Sequence, residues 1–207
     1  MRGKIAAGLI EYTPIEKTNF PVKGENLAFI HCIWVIPPFQ KKGVAKALVE
    51  DFVARTSRLS GAAVIAYEGE SWWGFFDYMP KAFFAKLGFE EIRRSGNSVL
   101  MLKNYGNAKL PELILSHSSA ASNQARANVE FFWSTQCPYS WWVARRLERE
   151  FGKTAQLELK LVNTNERKAV EEFGLTFGLR IDGRTLFDRI PSWDEAKNAV
   201  ESVGNVG

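Results

Sequence analysis

Apolar positions along this chain fall into short runs broken by polar and glycine-containing stretches, and the spacing inside each run selects its element. Residues 4–12 and 28–36 read as strands, with turn chemistry at 21–25 between them. Over 43–58 the apolar residues Val44, Leu48, Phe52 and Val53 recur at helical spacing. Residues 62–67 are a continuous apolar run of strand length. Residues 80–87 predict a second helix, with Pro80 in its first turn and Gly88 just past its end. Residues 90–94 and 99–103 predict a hairpin around Ser95-Gly96-Asn97.

From 105 to 127 the composition turns to Ser, Ala and Asn, which reads as a linker with a short ordered piece at 113–115. A second pattern follows. Residues 129–133 form a strand, and a helix runs from Cys137 to about residue 151. Residues 156–162 alternate as a half-buried strand does, and 166–173 form a helix. Residues 175–181 and 185–187 flank Asp182-Gly183, a hairpin signal. Residues 192–203 close the chain as a helix, with Ser192 and Glu195 spaced as a capping box. The class is therefore α/β (α+β). The expected organisation is a domain over 1–104, a linker over 105–127 and a second domain over 128–207.

At 207 residues, 46% hydrophobic and 24% charged, the composition is that of a globular chain with room for two small domains. The net charge of +4 suits an anionic ligand. Basic residues interleaved with aromatics along one face are missing, which argues against nucleic acid as a partner. No run has the length of a membrane span or the form of a signal peptide, so neither membrane insertion nor export is expected. Cys32 and Cys137 are far apart and read as reduced thiols of a cytoplasmic protein.

The most specific stretch is Val-Ile-Pro-Pro-Phe-Gln-Lys-Lys-Gly-Val-Ala at 35–45. It joins a strand to a helix, so backbone N–H groups and the positive end of the helix dipole can meet an anion there. A glycine at 43 lets the backbone approach closely. The spacing resembles the V-x-P-x-x-[QR]-x-x-G-x-[GA] signature of GNAT-family N-acyltransferases, met at Val35, Pro37, Gln40, Gly43 and Ala45. The Leu87-Gly88-Phe89 ending of the second helix adds to the resemblance. It implies acetyl-CoA as donor and a small-molecule or peptide amine as acceptor. It also implies that the backbone N–H of Ile33 faces the thioester carbonyl, that Val35 pairs with the pantetheine arm, and that Gln40, Lys41, Lys42, Gly43, Val44 and Ala45 hold the pyrophosphate. The fold normally starts with a strand, two helices and another strand ahead of the equivalent of 4–12. The acceptor-side wall is then expected from preceding chain or from a partner copy, which makes a homodimer an expectation.

His31 lies four residues before Val35, an offset at which arylalkylamine-type acetyltransferases carry part of their general-base system. An imidazole with pKa near 6.5 can accept an ammonium proton, and a hydrogen-bonded core histidine is the competing reading. The tyrosine that often serves as general acid is replaced by Phe84. Expelling a thiolate of pKa about 8.5 at pH 7 costs only about 2 kcal/mol more than a matched leaving group, so the loss is tolerable. Tyr78 is a weak substitute. Glu68 and Glu70, after the central strand, can attract a cationic amine. Trp72 and Trp73, with Phe75 and Phe76, suit either an acceptor pocket or an interdomain surface. Strand alternation separates His31 from Cys32, and the two histidines, His31 and His117, give no metal spacing.

The element order β-α-β-α-β-β-α of the second half resembles the thioredoxin/glutaredoxin fold. Cys137-Pro138-Tyr139-Ser140 stands where glutaredoxins carry Cys-Pro-Tyr-Cys. A helix dipole can lower the Cys137 pKa from about 8.5 towards about 7. With Ser140 in the resolving position, no disulfide forms within the motif, and 174–177 lacks the usual proline. A partial GNAT fold followed by such a module resembles the YoaP-like acetyltransferases. Two further readings stay open: a thiol-dependent redox protein acting through Cys137, and a non-catalytic coenzyme A-binding module.

Overall fold

A computed structural model describes residues 6–68, 78–115 and 126–204. The chain divides into two compact units. Unit 1 comprises Met1–Thr18 and Val22–Leu113, and unit 2 comprises Asn19–Pro21 and Ile114–Gly207.

Unit 1 holds a five-stranded sheet in the order β1-β3-β4-β6-β5. Its strands are β1 (Gly8–Pro14), β3 (Leu27–Val35), β4 (Gly61–Tyr67), β5 (Glu90–Ser95) and β6 (Ser98–Asn104). The two-residue strands β2 (Val22–Lys23) and β7 (Glu112–Leu113) form a separate ladder. Helix α1 (Val44–Thr56) is the crossover between the parallel strands β3 and β4. It buries Val49 and Phe52 against Ala28, Ile30, Val64 and Phe84. The short helix α2 (Lys81–Lys86) contributes Phe84, fully buried and ring-on-edge with Phe83 and Phe89. Each such buried aromatic contributes roughly 1.5–3 kcal/mol.

Two irregularities shape the middle of this sheet. The β3–β4 ladder runs only from Leu27↔Gly61 to Ile30↔Val64, although β3 continues to Val35. At the same point the antiparallel β1–β3 register slips: Glu11 faces Cys32 and Tyr12 faces Ile30, which leaves His31 without an opposite residue. A bulge of this kind adds one residue and resets the alternation. Ile30 and Ile33 both pack into the cluster under α1, three residues apart, which an unbroken strand does not allow. Hence His31 and Cys32 both turn away from α1. The alternation argument that separates them fails at the bulge.

Unit 2 contains a four-stranded sheet in the order β11-β10-β8-β9. Its elements run β8 (Ala127–Trp133), α3 (Pro138–Phe151), β9 (Leu157–Asn163), α4 (Arg167–Phe173), β10 (Gly178–Ile181), β11 (Arg184–Phe187) and α5 (Trp193–Gly204). Asp182 (φ 48) and Gly183 (φ 78) supply the two left-handed residues of the β10–β11 turn. The capping box on α5 is formed: Ser192 N–H donates to Glu195 Oε2 at 2.7 Å, and Glu195 N–H donates to Ser192 Oγ at 3.2 Å. Opposite one another on β8 and β10, Glu130 and Arg180 form a buried ion pair at 3.3 Å. The guanidinium also lies 5.0 Å over the Phe132 ring.

Candidate functional site

Where β3 leaves β4 behind, the main chain of β3 has one edge paired with β1 and one edge with no strand partner among the described residues. Ile36 N–H donates to Ala7 C=O at 3.0 Å, on the β1 side. Successive residues of a strand point their N–H groups in opposite directions. Val35 and Ile33 therefore direct theirs to the side away from β1, where the β4 pairing has already ended. These are the two main-chain groups singled out in the sequence. Gln40 Nε2 donates to the Val35 carbonyl at 3.0 Å, which fixes the strand end to the following turn.

That turn is a single 3₁₀ turn over Pro37–Phe39. Gln40 N–H is consumed within it, donating to Pro37 C=O at 3.2 Å. Gln40 thus shapes the loop through its side chain, and its N–H is not offered to an anion as the sequence suggested. The N–H groups of Lys41, Lys42 and Gly43 donate to no protein acceptor among the described residues. The first bond of α1 runs from Ala47 N–H to Gly43 C=O at 3.0 Å, so Val44, Ala45 and Lys46 precede any intrahelical acceptor. No side chain caps the helix.

Gly43 has φ +82, and a Cβ built there meets nothing within 4 Å. Its requirement is conformational, and the space above it is open. Lys41 also adopts positive φ (58), a conformation that costs a non-glycine residue roughly 1–2 kcal/mol and concentrates at functional sites. Lys42 Nζ lies 5.8 Å from the Phe39 ring centroid. The sequence named both lysines for their charge; the backbone strain at Lys41 has no signature in it.

His31 is 6% exposed. Its Nε2 lies 2.9 Å from Thr13 Oγ1, and its ring sits edge-on to Phe29 at 5.5 Å. Tyr78 packs beside Tyr67 at 5.8 Å, at the margin of the α1 cluster. Phe84, where the sequence lacked the expected tyrosine, is core. Glu68 is a half-exposed carboxylate that meets Lys81 Nζ at 3.3 Å and also pairs with Arg94. Lys81 and Arg94 in turn hold Glu91. Two carboxylates and two cations balance here, so Glu68 is already neutralised by its own unit. Glu70, Trp72, Trp73, Phe75, Phe76 and His117 lie outside the described residues. Among the described residues no three metal-ligating side chains cluster, and no helix is long and apolar enough to cross a membrane.

In unit 2, Cys137 is the half-buried residue just before α3. Its N–H donates to Ser134 C=O at 3.2 Å. Ser140 is fully buried: its Oγ accepts from Ser134 N–H at 3.3 Å and lies 2.9 Å from both the Ser134 and Cys137 carbonyls. Ser140 is thus a structural staple of this turn. Asn165 Oδ1 accepts from Ser134 Oγ, Thr135 N–H and Thr135 Oγ1, and Asn19 Nδ2 donates to Ser134 Oγ at 3.2 Å. Tyr139 hydroxyl accepts from Trp193 N–H at 3.0 Å. Burial, more than the nearby carboxylates, pushes its pKa up.

Residues 2–71 match the acetyltransferase (GNAT) family. The chain is 22% identical over 199 residues to a Bacillus subtilis (strain 168) protein described as the uncharacterized N-acetyltransferase YoaP, covering 94% of this chain and 77% of that one. Among solved structures, PaiA N-acetyltransferase from Thermoplasma acidophilum in complex with coenzyme A is 21% identical, with a TM-score of 0.36 over 48% of this chain and 54% of that one. The ribosomal-protein-S18-alanine N-acetyltransferase from Escherichia coli is 20% identical, with a TM-score of 0.31 over 41% of this chain and 57% of that one. The chain spans little more than half the length of these solved structures. The family match and the YoaP relative support an acyltransferase enzyme with acetyl-CoA as its donor.

Proposed function

We propose that the chain is an N-acetyltransferase that moves an acetyl group from acetyl-CoA to an amine. The observation that carries this reading is the open edge of β3 at Ile33 and Val35, leading straight into the uncapped first turn of α1. An extended pantetheine arm adds to that edge as a strand would, through Val35 N–H. The diphosphate sits on the N–H groups of 41–45, where the helix dipole and the charges of Lys41 and Lys42 act together. Ile33 N–H points at the thioester carbonyl oxygen and takes up charge as the carbonyl carbon becomes tetrahedral.

An ammonium acceptor gives one proton to His31. The freed nitrogen lone pair attacks the carbonyl carbon, a C–N bond forms, and the C–S bond breaks. Coenzyme A leaves as a thiolate, the attacking nitrogen loses its second proton to solvent to give the neutral amide, and the thiolate takes up a proton in turn. Glu68, already paired, contributes at most long-range attraction to the amine. Glu70, Trp72 and Trp73 remain candidates for the acceptor side.

Unit 2 reads as a thioredoxin-like appendage over 128–207, joined through 105–127. Its β-α-β-α-β-β-α order and the placement of Cys137 before α3 support that reading. The buried Ser140 favours a packing or recognition role over oxidoreductase chemistry.

Titration calorimetry with acetyl-CoA, followed by thiol release assayed across an amine panel, tests the proposal. Uptake of the donor and amine-dependent release of coenzyme A are expected. Absence of both removes it. Uptake without release leaves the binding-module reading in its place.

A further inference from the structure

Of the edge strands in the two larger sheets, β9 has the least to deter a neighbour. β1 and β5 slip in register against their inner partners, and β11 has four residues. β9 runs seven residues without a proline and pairs regularly with β8, from Ala127↔Leu157 to Trp133↔Asn163. Ala127 N–H donates to Gln156 C=O at 3.0 Å, and Thr164 N–H donates to Trp133 C=O at 2.9 Å. Even-numbered residues along β9 therefore turn their main-chain groups to β8. Leu159 and Leu161 turn theirs outward, where no strand pairs with them among the described residues. The side chains alternate too. Leu157, Leu159 and Leu161 pack into the cluster beneath α3 and α5, and Glu158 and Lys160 are exposed. Glu158 has no ion pair among the described residues, whereas Lys160, 57% exposed, lies 3.5 Å from the buried Glu130.

We propose that β9 is a self-association edge, to which a second copy of this chain adds antiparallel about a two-fold axis at Leu159. The run Leu157-Glu158-Leu159-Lys160-Leu161 is complementary to itself in that arrangement. Leu159 meets Leu159, Leu157 meets Leu161, and Glu158 meets Lys160 twice, always on matching faces. The outward N–H and C=O of Leu159 make the central pair a hydrogen-bonded one, with two reciprocal bonds. Leu161 N–H then donates to the Leu157 C=O of the other copy. Leu157 N–H is already spent on Thr154 C=O at 3.1 Å, so the ladder ends there. Glu158 and Lys160 fall at the non-hydrogen-bonded positions, where opposed Cα atoms stand about 4.5 Å apart and side chains come closest. A lysine on an edge ordinarily repels an incoming strand. Here each lysine finds a carboxylate. Moving the axis to Glu158 or to Lys160 would oppose like charges, so one register is selected. The contact is isologous and closes at two copies. It does not depend on the acetyltransferase reading.

Sedimentation equilibrium of the full chain over a concentration series, with amide hydrogen exchange at its two ends, tests the proposal. A reversible monomer–dimer equilibrium is expected, with the Leu159 and Leu161 amides protected only as dimer forms. Glu158→Lys sets lysines against lysines at an exposed position and is expected to raise the dissociation constant about tenfold or more. Lys160→Glu opposes glutamates instead, and mixing the two variants is expected to restore dimers, as heterodimers. The exchange and Glu158→Lys measurements decide the matter even where Lys160→Glu, beside Glu130, fails to fold. A chain that stays monomeric across the series overturns the proposal, as does a dimer indifferent to Glu158→Lys. Equal protection of the Leu159 and Leu161 amides in the monomer also overturns it, since another part of the same chain then covers the edge.

Discussion

Helices α1 and α3 both follow a strand and a proline-containing turn, and neither has a side-chain cap. Their surroundings differ. Before α1, two residues adopt positive φ, and the space over Gly43 is empty to 4 Å. Before α3, the turn is knitted by Ser134, Thr135, Ser140, Asn165 and Asn19, each hydrogen-bonded to another part of unit 2. The dipole at a helix start is much the same in both cases. What separates a binding loop from a structural one is whether the protein has already supplied partners for its polar groups. A loop that leaves N–H groups open must fill them with water or with a ligand.

The sharpest way to break this contrast is Gly43→Val. A branched side chain at φ +82 is strained and projects where the diphosphate is proposed to lie. Acetyl-CoA affinity is expected to fall about 100-fold or more, roughly 2.8 kcal/mol by calorimetry, with the melting of unit 2 unchanged. Next is Ser140→Ala, which strands the Ser134 N–H in a buried turn. Urea unfolding should show a loss of about 1–2 kcal/mol in unit 2, with acetyl-CoA affinity intact. An equal loss of affinity would erase the distinction between the two loops.

The smallest effect concerns Glu195 in the α5 cap. Burial raises its pKa, but the paired Arg189 guanidinium and the Ser192 N–H outweigh this and hold it below the ordinary value of 4.5. A carboxylate lowered on folding stabilises the protein above its unfolded pKa, and that contribution disappears as pH falls through the folded value. Glu195→Gln should therefore lower the melting temperature modestly at pH 7. The gap should close below about pH 4.5. Because the side chain is partly exposed, the effect at pH 7 is expected to stay under about 1 kcal/mol.

Much of this architecture is legible in the residue pattern, and the exceptions are instructive. Alternation marks β9, and the Asp182-Gly183 pair marks its turn, because a period of two and two left-handed residues are local properties. The strand expected over 175–181 is shorter, Gly178–Ile181, since Leu175 and Phe177 are apolar through burial in the core and not through ladder pairing. β2 and β7 have two residues each and so no period to detect. In α1 the buried residues include Val49, which the simplest helical count passes over. The turn proposed to meet the phosphates stands out in the sequence as a motif. The diversion of the Gln40 N–H to Pro37 does not, because it depends on the 3₁₀ turn.

By itself the sequence determined where most of the longer strands and helices lie, that one loop joins strand to helix with a glycine at 43, and that Ser192 and Glu195 cap the last helix. These follow from interactions between residues a few positions apart. The tertiary structure alone decided that β3 parts from β4 after Ile30, that His31 and Cys32 share a face, that Thr13 meets His31, and that Ser140 is a staple. A one-residue slip between paired strands changes which face every later side chain takes, and no periodicity along a single strand records where its neighbour slips.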